Sequence, residues 1–228
     1  MRSSQSVPHA LGRGARAGAK VASWVGQGLF GLGYRVKTPG RRLVPRTGPV
    51  ILAVNHTAFL DGPLVVGVTK RPVHVFSKAE LFHGPLGLAL RAIGQIPVHR
   101  DTADLAALTA GLEVLAHGGV LAVFPEGSRG RGDFSDMRDG LAWLAMRSGA
   151  PIVPVVCLGT GAGGSTIGGI AKPGARLTAA YGAPFHVPVP PDRPRSRTAL
   201  RAGAVMVQNR LVAHHTTVHE HARQKETE

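Results

Sequence analysis

The chain has 228 residues, of which 43% are hydrophobic, which is enough for one globular domain with a core. Its 27 lysines and arginines against 13 acids give a formal charge of +14, which indicates a negatively charged partner. Only 5% of the residues are aromatic, too few to interleave with the basic residues for base stacking, so membranes and phosphorylated molecules are favoured over nucleic acid. The single cysteine, Cys157, excludes an internal disulfide framework and is expected to be buried.

The N-terminal residues 1–34 form a basic segment whose middle predicts an amphipathic helix lying in the headgroup region of a membrane. No uninterrupted apolar stretch reaches the roughly 18 to 20 residues that cross a bilayer, so a cytoplasmic protein that does not span the membrane is expected. A helix packed on the protein's own surface is the alternative. The apolar residues that share one helical face are Val21, Trp24, Val25, Leu29 and Leu32.

From residue 49 onward, strand-like and helix-like stretches alternate. The β-branched runs lack polar alternation, which indicates strands covered on both faces. We therefore expect a single α/β domain over residues 35–215, with a mixed, mostly parallel sheet flanked by helices, and a polar, flexible tail over residues 216–228. Predicted strands are 49–54, 73–77, 96–98, 120–124, 152–158 and 176–182. Predicted helices are 63–69, 85–93, 102–118 with Thr102 as N-cap, 137–149, and a basic amphipathic helix over 199–215.

The stretch "NHTAFLDGP", residues 55–63, follows the first predicted core strand. His56 and Asp61 are about 140° apart on a helical wheel of one hundred degrees per residue, so they meet only across a bend. Asp61-Gly62-Pro63 is a turn and helix-start signal, with Asp61 suited to cap the helix and to reach back to the imidazole. Such a pair makes His56 a general base for a substrate hydroxyl or amine, since the motif holds no serine or cysteine. The alternative is a structural histidine beside a capping aspartate.

Three further loops carry ionisable groups where predicted strands end. "FPEGSRGRG", residues 124–132, offers a carboxylate, turn amides and arginines that suit an oxyanion or a phosphate. "SKAEL" and "GQIPVHR" add cations, so the loops together indicate a phosphate-bearing acceptor. The candidate residues are Lys78, Arg100, Glu126, Gly127, Ser128, Arg129 and Arg131.

Four ordered blocks resemble the glycerolipid acyltransferase family, of the 1-acyl-sn-glycerol-3-phosphate acyltransferase type. They are "NHTAFLD", "GQIPVHR", "FPEGSR" and "APIVPV", and the resemblance covers about residues 35–185. It implies transfer of a fatty acyl group from coenzyme A or acyl carrier protein to a lysophospholipid hydroxyl, giving phosphatidic acid at the cytoplasmic face of the membrane. No metal or redox cofactor is implied. The chain departs from the family where Gly130, Arg131 and Gly132 follow the third block, which puts the acceptor in doubt.

The resemblance also implies residue roles. His56 would take the proton from the glycerol hydroxyl and Asp61 would orient it. Arg100, Lys78 and Arg129 would hold phosphate, while Glu126, Gly127 and Ser128 would shape the acceptor site and Pro154 would line the pocket. The alternatives are a different lipid or alcohol acceptor, and a non-catalytic protein that binds membranes or nucleic acid.

Two other patterns predict no function of their own. "GTGAGG", residues 159–164, fits a dinucleotide-binding motif, but no helix signal or nearby acid follows it, so a flexible loop near the mouth of the site is expected. The histidines near the C-terminus are expected to mark a solvated helix end rather than a metal site. They are His214, His215, His219 and His221.

Overall fold

A computed structural model describes residues 13–99, 104–161, 169–189 and 196–227. Within these residues the chain alternates between helices and strands, as the sequence predicted. The strands are β1 Arg35–Lys37, β2 Val50–Val54, β3 Val73–Lys78, β4 Ile96–Val98, β5 Val120–Val123, β6 Ile152–Leu158 and β7 Arg176–Tyr181. The helices are α1 Arg13–Gly33, α2 Asp61–Val68, α3 Gly84–Ala92, α4 Leu105–Ala116, α5 Gly140–Ser148 and α6 Arg197–Thr227.

The strands form one sheet in the order β1-β7-β6-β2-β5-β3-β4. β2 lies at the centre and runs parallel to β5 on one side and β6 on the other. β3 is parallel to β5 and β4, β1 is parallel to β7, and β7 runs antiparallel to β6. The mostly parallel α/β fold is therefore confirmed, and β1 is a short edge strand that the sequence pattern did not predict.

Helices cover both faces of the sheet, which explains why the strands lack polar alternation. On one face α4, α5 and α6 contribute Val114, Leu144 and Leu211 to a core. These side chains pack against the side chains of the central strands that point to this face. On the other face α1 and α2 contribute Phe30 and Leu64. All five residues of β2 are buried, so the loop that follows it starts from a fixed position.

Because β2, β3, β4, β5 and β6 run in the same direction, their carboxyl ends share one edge of the sheet. The loops that begin there are those that hold His56, Lys78, His99, Glu126 and Thr160. Ligand sites of open α/β sheets lie at this edge, so the topology gathers the candidate groups into one region.

Helix α1 has a buried side and an exposed side. Gly26 packs so closely on Gly67 of α2 that an added Cβ would lie 2.6 Å from the Gly67 Cα, and Phe30 is buried between the helices. The predicted apolar face points away from the core, with Trp24 75% and Leu32 95% exposed. In the described ranges, no helix combines the length and the hydropathy that a membrane crossing requires.

Two predicted boundaries need correction. The side chain of Asp104 caps α4 by accepting a hydrogen bond from the Ala107 amide at 3.0 Å, and the predicted cap Thr102 lies outside the described residues. The expected flexible tail is helical through Thr227, as part of α6. The buried side chains of Val207 and Leu211 anchor α6 to the core, and an anchored helix extends readily into polar sequence because only its first turn is costly to form.

Candidate active site

A side-chain clasp fixes the point where β2 ends and the "NHTAFLD" loop begins. The Asn55 amide nitrogen donates to the Cys157 carbonyl at 3.2 Å, and its oxygen accepts from the Cys157 amide at 2.7 Å. Asn55 thus continues the pairing of β2 with β6 beyond the last residue of the strand. His56 therefore leaves the sheet directly after a residue that is fixed to β6.

His56 and Asp61 meet across the predicted bend. The His56 Nδ1 lies 3.1 Å from the Asp61 Oδ2, and the Asp61 side chain is fully buried. Oδ2 also accepts hydrogen bonds from the backbone amides of Thr57 and Ala58, each at 2.8 Å, and Oδ1 accepts one from the Thr160 hydroxyl at 2.6 Å. Four donors hold this carboxylate, so it cannot rotate away from the ring.

The same contacts change the role of Asp61 in the helix. Asp61 was predicted to cap α2, but it is the first residue of that helix, and Leu60 occupies the N-cap without a side-chain bond. Its carboxylate turns back to the preceding loop, whose amides it satisfies. An ionised carboxylate accepts hydrogen bonds only, so the proton of the neutral imidazole sits on Nδ1 and Nε2 carries the free lone pair.

The loop after β5 packs directly on this pair. The Phe124 ring lies 4.3 Å from the His56 ring between centroids, and the Gly130 amide donates to the His56 carbonyl at 3.0 Å. His56 is only 8% exposed as a result. The histidine is shielded from bulk water yet lies at the edge of the sheet where a substrate can approach.

Glu126 holds one oxygen in a hydrogen bond and keeps the other unpaired. Oε1 accepts from the Phe134 amide at 2.9 Å, whereas Oε2 is buried and has no hydrogen-bond partner among the described residues. Burial raises the pKa of this carboxyl above its usual value, and the negative charge of Asp133 raises it further. A buried oxygen without a partner is costly and marks a place where a ligand donor is expected.

The turn after Glu126 corrects one prediction. The Gly127 backbone has φ of 72°, which favours glycine, and its amide donates to the Phe124 carbonyl at 3.0 Å. That amide closes the turn and is not available to the ligand that the sequence predicted for it. Ser128 and Arg129 follow on the exposed outer side of the loop.

The remaining predicted site residues have varied positions. Lys78 is the last residue of β3, at the edge of the sheet that the carboxyl ends of the parallel strands share. Its ammonium lies 3.3 Å from the Glu80 carboxylate. Pro154 is buried within β6 opposite Ala53, in the body of the sheet rather than at its edge. Arg100 lies outside the described residues. Among the described residues, no three side chains of His, Cys, Asp or Glu cluster where they could hold a metal ion.

A cavity of about 320 Å³ opens beside Phe124, between the sheet and helices α4 and α5. Its walls are mostly apolar, while Gly127 and Arg138 lie along the side nearest to Glu126. Phe124 therefore contacts the histidine ring and also lines the cavity. The apolar side chains that line it include Phe76, Val98, Leu108, Phe124, Leu141 and Leu144.

Residues 35–158, more than half of the chain and including the loops just described, match the family Acyltransferase. The chain belongs to the acyltransferase family. The match ends at β6, so β7 and α6 lie outside it.

Several curated proteins are similar to this acyltransferase-family chain. The 1-acyl-sn-glycerol-3-phosphate acyltransferase of Borreliella burgdorferi is 28% identical over 149 residues, 64% of this chain and 57% of that protein. The Bacillus subtilis protein of the same name is 27% identical over 130 residues, covering 56% and 65%. The human 1-acyl-sn-glycerol-3-phosphate acyltransferase beta is 30% identical over 133 residues, covering 56% and 47%. The chain thus spans about half to two thirds of their lengths.

The acyltransferase fold has a solved counterpart. The 1-acyl-sn-glycerophosphate (LPA) acyltransferase PlsC of Thermotoga maritima superposes with a TM-score of 0.60 at 23% identity. The superposition covers 86% of this chain and 78% of that chain, so the likeness extends beyond the family match. It concerns the fold.

Two residues of this family member that the sequence did not single out lie next to His56 and Asp61. Asn55 opens the quoted stretch, yet its clasp joins positions that are 102 residues apart, which no local pattern reveals. Thr160 belongs to the "GTGAGG" stretch that was set aside as a loop. Its position directly after β6 is the signal, since loops after parallel strands collect site residues.

Proposed function

We propose that the protein transfers a fatty acyl group from an acyl thioester to the free hydroxyl of 1-acyl-glycerol-3-phosphate, giving phosphatidic acid. The His56–Asp61 pair carries this proposal, because the carboxylate is locked by four donors and leaves Nε2 as an acceptor. The names of the similar proteins support the choice of substrate. The cytoplasmic face of the membrane stays a prediction of the sequence resemblance.

The reaction follows from the geometry in two proton movements. Nε2 of His56 takes the proton of the acceptor hydroxyl while that oxygen bonds to the thioester carbonyl carbon. The tetrahedral intermediate then collapses, the carbon–sulfur bond breaks, and the imidazolium returns its proton to the thiolate that leaves. Asp61 stabilises the imidazolium between the two steps because it remains negative beside Nδ1.

Direct attack by the substrate fits the surroundings better than a covalent acyl-enzyme. The Cys157 thiol is buried, and burial together with the nearby Asp61 charge raises its pKa well above the usual value. The Thr160 hydroxyl is committed to Asp61 and the Asn55 side chain to the backbone of β6. The Cys157 thiol and the Thr160 hydroxyl are therefore unsuited to act as nucleophiles, which favours the substrate hydroxyl for that role.

The cavity beside Phe124 suits the acyl chain. A pocket of this size with apolar walls is typical for the nonpolar part of a small ligand. Since Phe124 also contacts the His56 ring, a chain bound in the cavity would place its thioester end near the base. Glu126, next in sequence to Gly127 of the cavity wall, is then proposed to accept a hydroxyl of the glycerol moiety, which requires the acceptor to reach the buried Oε2.

Two of the cations that were predicted to hold phosphate lie beside acidic side chains, which favours a second candidate function in which the acceptor carries no phosphate. The Lys78 ammonium lies 3.3 Å from the Glu80 carboxylate, and Arg131 lies 3.2 Å from Asp133. Arg129 is exposed on the outside of its loop. A monoacylglycerol or another lipid alcohol would need fewer free cations than lysophosphatidic acid.

We test both candidates with one assay. Purified protein receives a long-chain acyl-CoA, or an acylated carrier protein, with lysophosphatidic acid or monoacylglycerol, and products are identified by mass spectrometry. The first candidate predicts phosphatidic acid as the main product, with a several-fold higher acceptor KM in Lys78→Ala. Lys70→Ala is the matched control, because Lys70 is an exposed lysine before the opposite end of β3. Preference for monoacylglycerol supports the second candidate, and no product with any pair contradicts both.

We further propose that the exposed face of α1 binds the membrane surface. Trp24 and Leu32 are large apolar side chains in water, and Leu86 and Leu88 of α3 are 56% and 70% exposed. α1 contacts α3, so the exposed leucines of α3 lie near the exposed face of α1. Moving one large apolar side chain from water into lipid contributes about 1.5 to 3 kcal/mol to the binding free energy when the side chain becomes fully buried.

Vesicle flotation tests this surface. Trp24→Ser with Leu32→Ser should weaken binding to vesicles of anionic phospholipid by at least about tenfold, because each lost side chain removes transfer free energy. Val205→Ser, at an apolar position on α6 that is 51% exposed, is the control and should bind as the wild type does. Equal binding by all three proteins would contradict the assignment.

A further inference from the structure

Helix α6 lies outside the residues that match the family. It hydrogen-bonds to the loop that contains Glu126. The Gln208 amide nitrogen donates to two consecutive backbone carbonyls of this loop, Phe134 at 3.0 Å and Ser135 at 2.9 Å. The residues are more than seventy positions apart, so nothing local brings them together. Gln208 lies beside Val207, which anchors this turn of α6 in the core.

The loop needs such support at Phe134. Its φ of 62° is left-handed, a region that bulky side chains rarely adopt, and it is the one such non-glycine residue in the described ranges. Its side chain is fully buried, and the His215 ring meets it edge-on at 6.2 Å between centroids. A strained backbone persists where its surroundings over-determine it, and α6 provides a large part of these surroundings.

Phe134, the residue with the left-handed backbone, also hydrogen-bonds to Glu126, the candidate acceptor-binding group. The Phe134 amide donates to Oε1 of Glu126 at 2.9 Å, and this bond fixes the direction of the unpaired Oε2. Rotation of the Phe134 backbone towards ordinary φ values would move that amide away from Oε1. The chain of contacts therefore runs from α6 to Phe134, from Phe134 to Glu126, and from Glu126 to the proposed substrate.

We infer that Gln208 is a positioning residue for acyl transfer, which it serves by holding the Phe134 backbone so that Glu126 presents Oε2 to the acceptor. The inference rests on the proposed function for its kinetic consequence. Its structural part, that Gln208 orders the loop, is independent of any activity. The two parts are tested separately.

The kinetic test is a double-mutant cycle between Gln208→Leu and Glu126→Gln. Leucine keeps the apolar part of the side chain and removes both donors. Gln208→Leu should lower kcat/KM for the acceptor by about tenfold, since misplacing a substrate-positioning group by a fraction of an ångström is enough for this, and leave the KM for the acyl donor unchanged. In the Glu126→Gln background the same change should have little further effect, because both act through one group.

Two variants control this cycle. Gln208→Lys keeps a donor of similar reach and should restore kcat/KM to within about threefold of the wild type, as a retained hydrogen bond implies. Asn209→Ala, on the exposed side of the same turn, should have no effect. If Gln208→Leu and Glu126→Gln lower kcat/KM independently, so that their effects multiply, Gln208 does not act through Glu126 and the inference is wrong. Gln208→Ala replaces the leucine variant if the latter does not fold.

Hydrogen exchange measures the structural part without substrate. Peptides that cover residues 125–138 should exchange faster in Gln208→Leu than in the wild type or in Asn209→Ala, while peptides of β2 and β5 stay unchanged. Unchanged exchange in this loop would overturn the inference whatever the kinetics show. If the loop loosens but the wild type acylates no acceptor, the proposed function fails and the ordering role of Gln208 stands.

Discussion

The two loops that follow the neighbouring strands β2 and β5 hold their key carboxylates in opposite ways. In residues 55–61 both oxygens of Asp61 are satisfied by four donors. In residues 124–139 one oxygen of Glu126 accepts from the Phe134 amide, and the other has no hydrogen-bond partner in the described part of the chain. The difference fits the two proposed tasks, in which the first carboxylate orients a base and the second accepts a hydrogen bond from a ligand.

The loops also differ in where their stability comes from. The first is held mainly by atoms of its own motif, with additional bonds from Thr160, from the Gly130 amide and from Asn55 to β6. The second is longer and glycine-containing, and α6 supports it through Gln208. A short, self-satisfied loop suits a base that must not move, and a loop supported from outside can carry an unsatisfied group.

The largest effect is expected from His56→Ala. Loss of the general base should lower kcat by about 10² to 10⁴-fold, with the melting temperature little changed. Acyl transfer is measured by product formation with saturating acyl-CoA and acceptor. His117→Ala is the control, because His117 is exposed at the end of α4 and its turn lies at the opposite edge of the sheet. Near wild-type turnover in His56→Ala would remove the histidine from the mechanism.

Asp61→Asn should come next. The amide can keep its oxygen towards Thr57 and Ala58 and turn its nitrogen to the Thr160 hydroxyl, so the geometry survives while the negative charge is lost. The imidazolium is then less stabilised, and kcat should fall by about a hundredfold. The KM values should stay within a few-fold of the wild type. A large rise in KM with unchanged kcat would instead indicate that Asp61 serves binding.

Glu126→Gln sharpens the contrast because activity and stability should move in opposite directions. Loss of the charged acceptor should lower kcat/KM for the acceptor by about 10 to 100-fold, as expected for a hydrogen bond to a charged group. The folded state raises the pKa of Glu126 through burial, so its favourable contribution is present below the unfolded pKa and is lost as pH rises through the folded pKa.

Above the ordinary pKa of glutamate, the raised pKa of the buried Glu126 carboxyl therefore lowers the free energy of unfolding, a cost that glutamine lacks. Glu126→Gln should melt at a higher temperature than the wild type at pH 7.5, and this advantage should shrink as the pH is lowered towards the ordinary pKa of glutamate. Calorimetry across this pH range makes the comparison. A stability difference that does not change with pH would show that the carboxyl is not strained by burial.

Thr160→Val should have the smallest effect. Valine matches threonine in shape but removes the bond to Oδ1 of Asp61. A hydrogen bond to a charged group contributes about 1.5 to 3 kcal/mol, and because three other donors still hold Asp61 only a part of this is felt at the base, so kcat should fall by about fivefold. Thr160→Ser keeps the hydroxyl and should stay close to the wild type. Equal loss in both variants would assign Thr160 to packing alone.

The sequence predicted the elements of this fold well because each has a strong local cause. The buried runs of β2 and β6 and the periodic helix α4 follow from residue type alone, and so does the turn that joins His56 to Asp61. The clasp of Asn55, the hydroxyl of Thr160 and the grip of Gln208 depend on contacts between residues far apart in the chain. The prediction that Asp61 caps α2 was wrong, because the buried Asp61 carboxylate accepts hydrogen bonds from nearer backbone amides of the preceding loop instead of amides of the helix.

The most direct test of the central claim is whether thioester cleavage requires the acceptor hydroxyl. Protein at a concentration comparable to that of acyl-CoA is mixed rapidly with it, with and without lysophosphatidic acid, and release of the coenzyme A thiol is followed. If His56 activates the hydroxyl of the substrate and no side chain is acylated, as proposed, thiol should be released only when acceptor is present. A burst of thiol equal to the protein concentration without acceptor would reveal a covalent acyl-enzyme and contradict this mechanism.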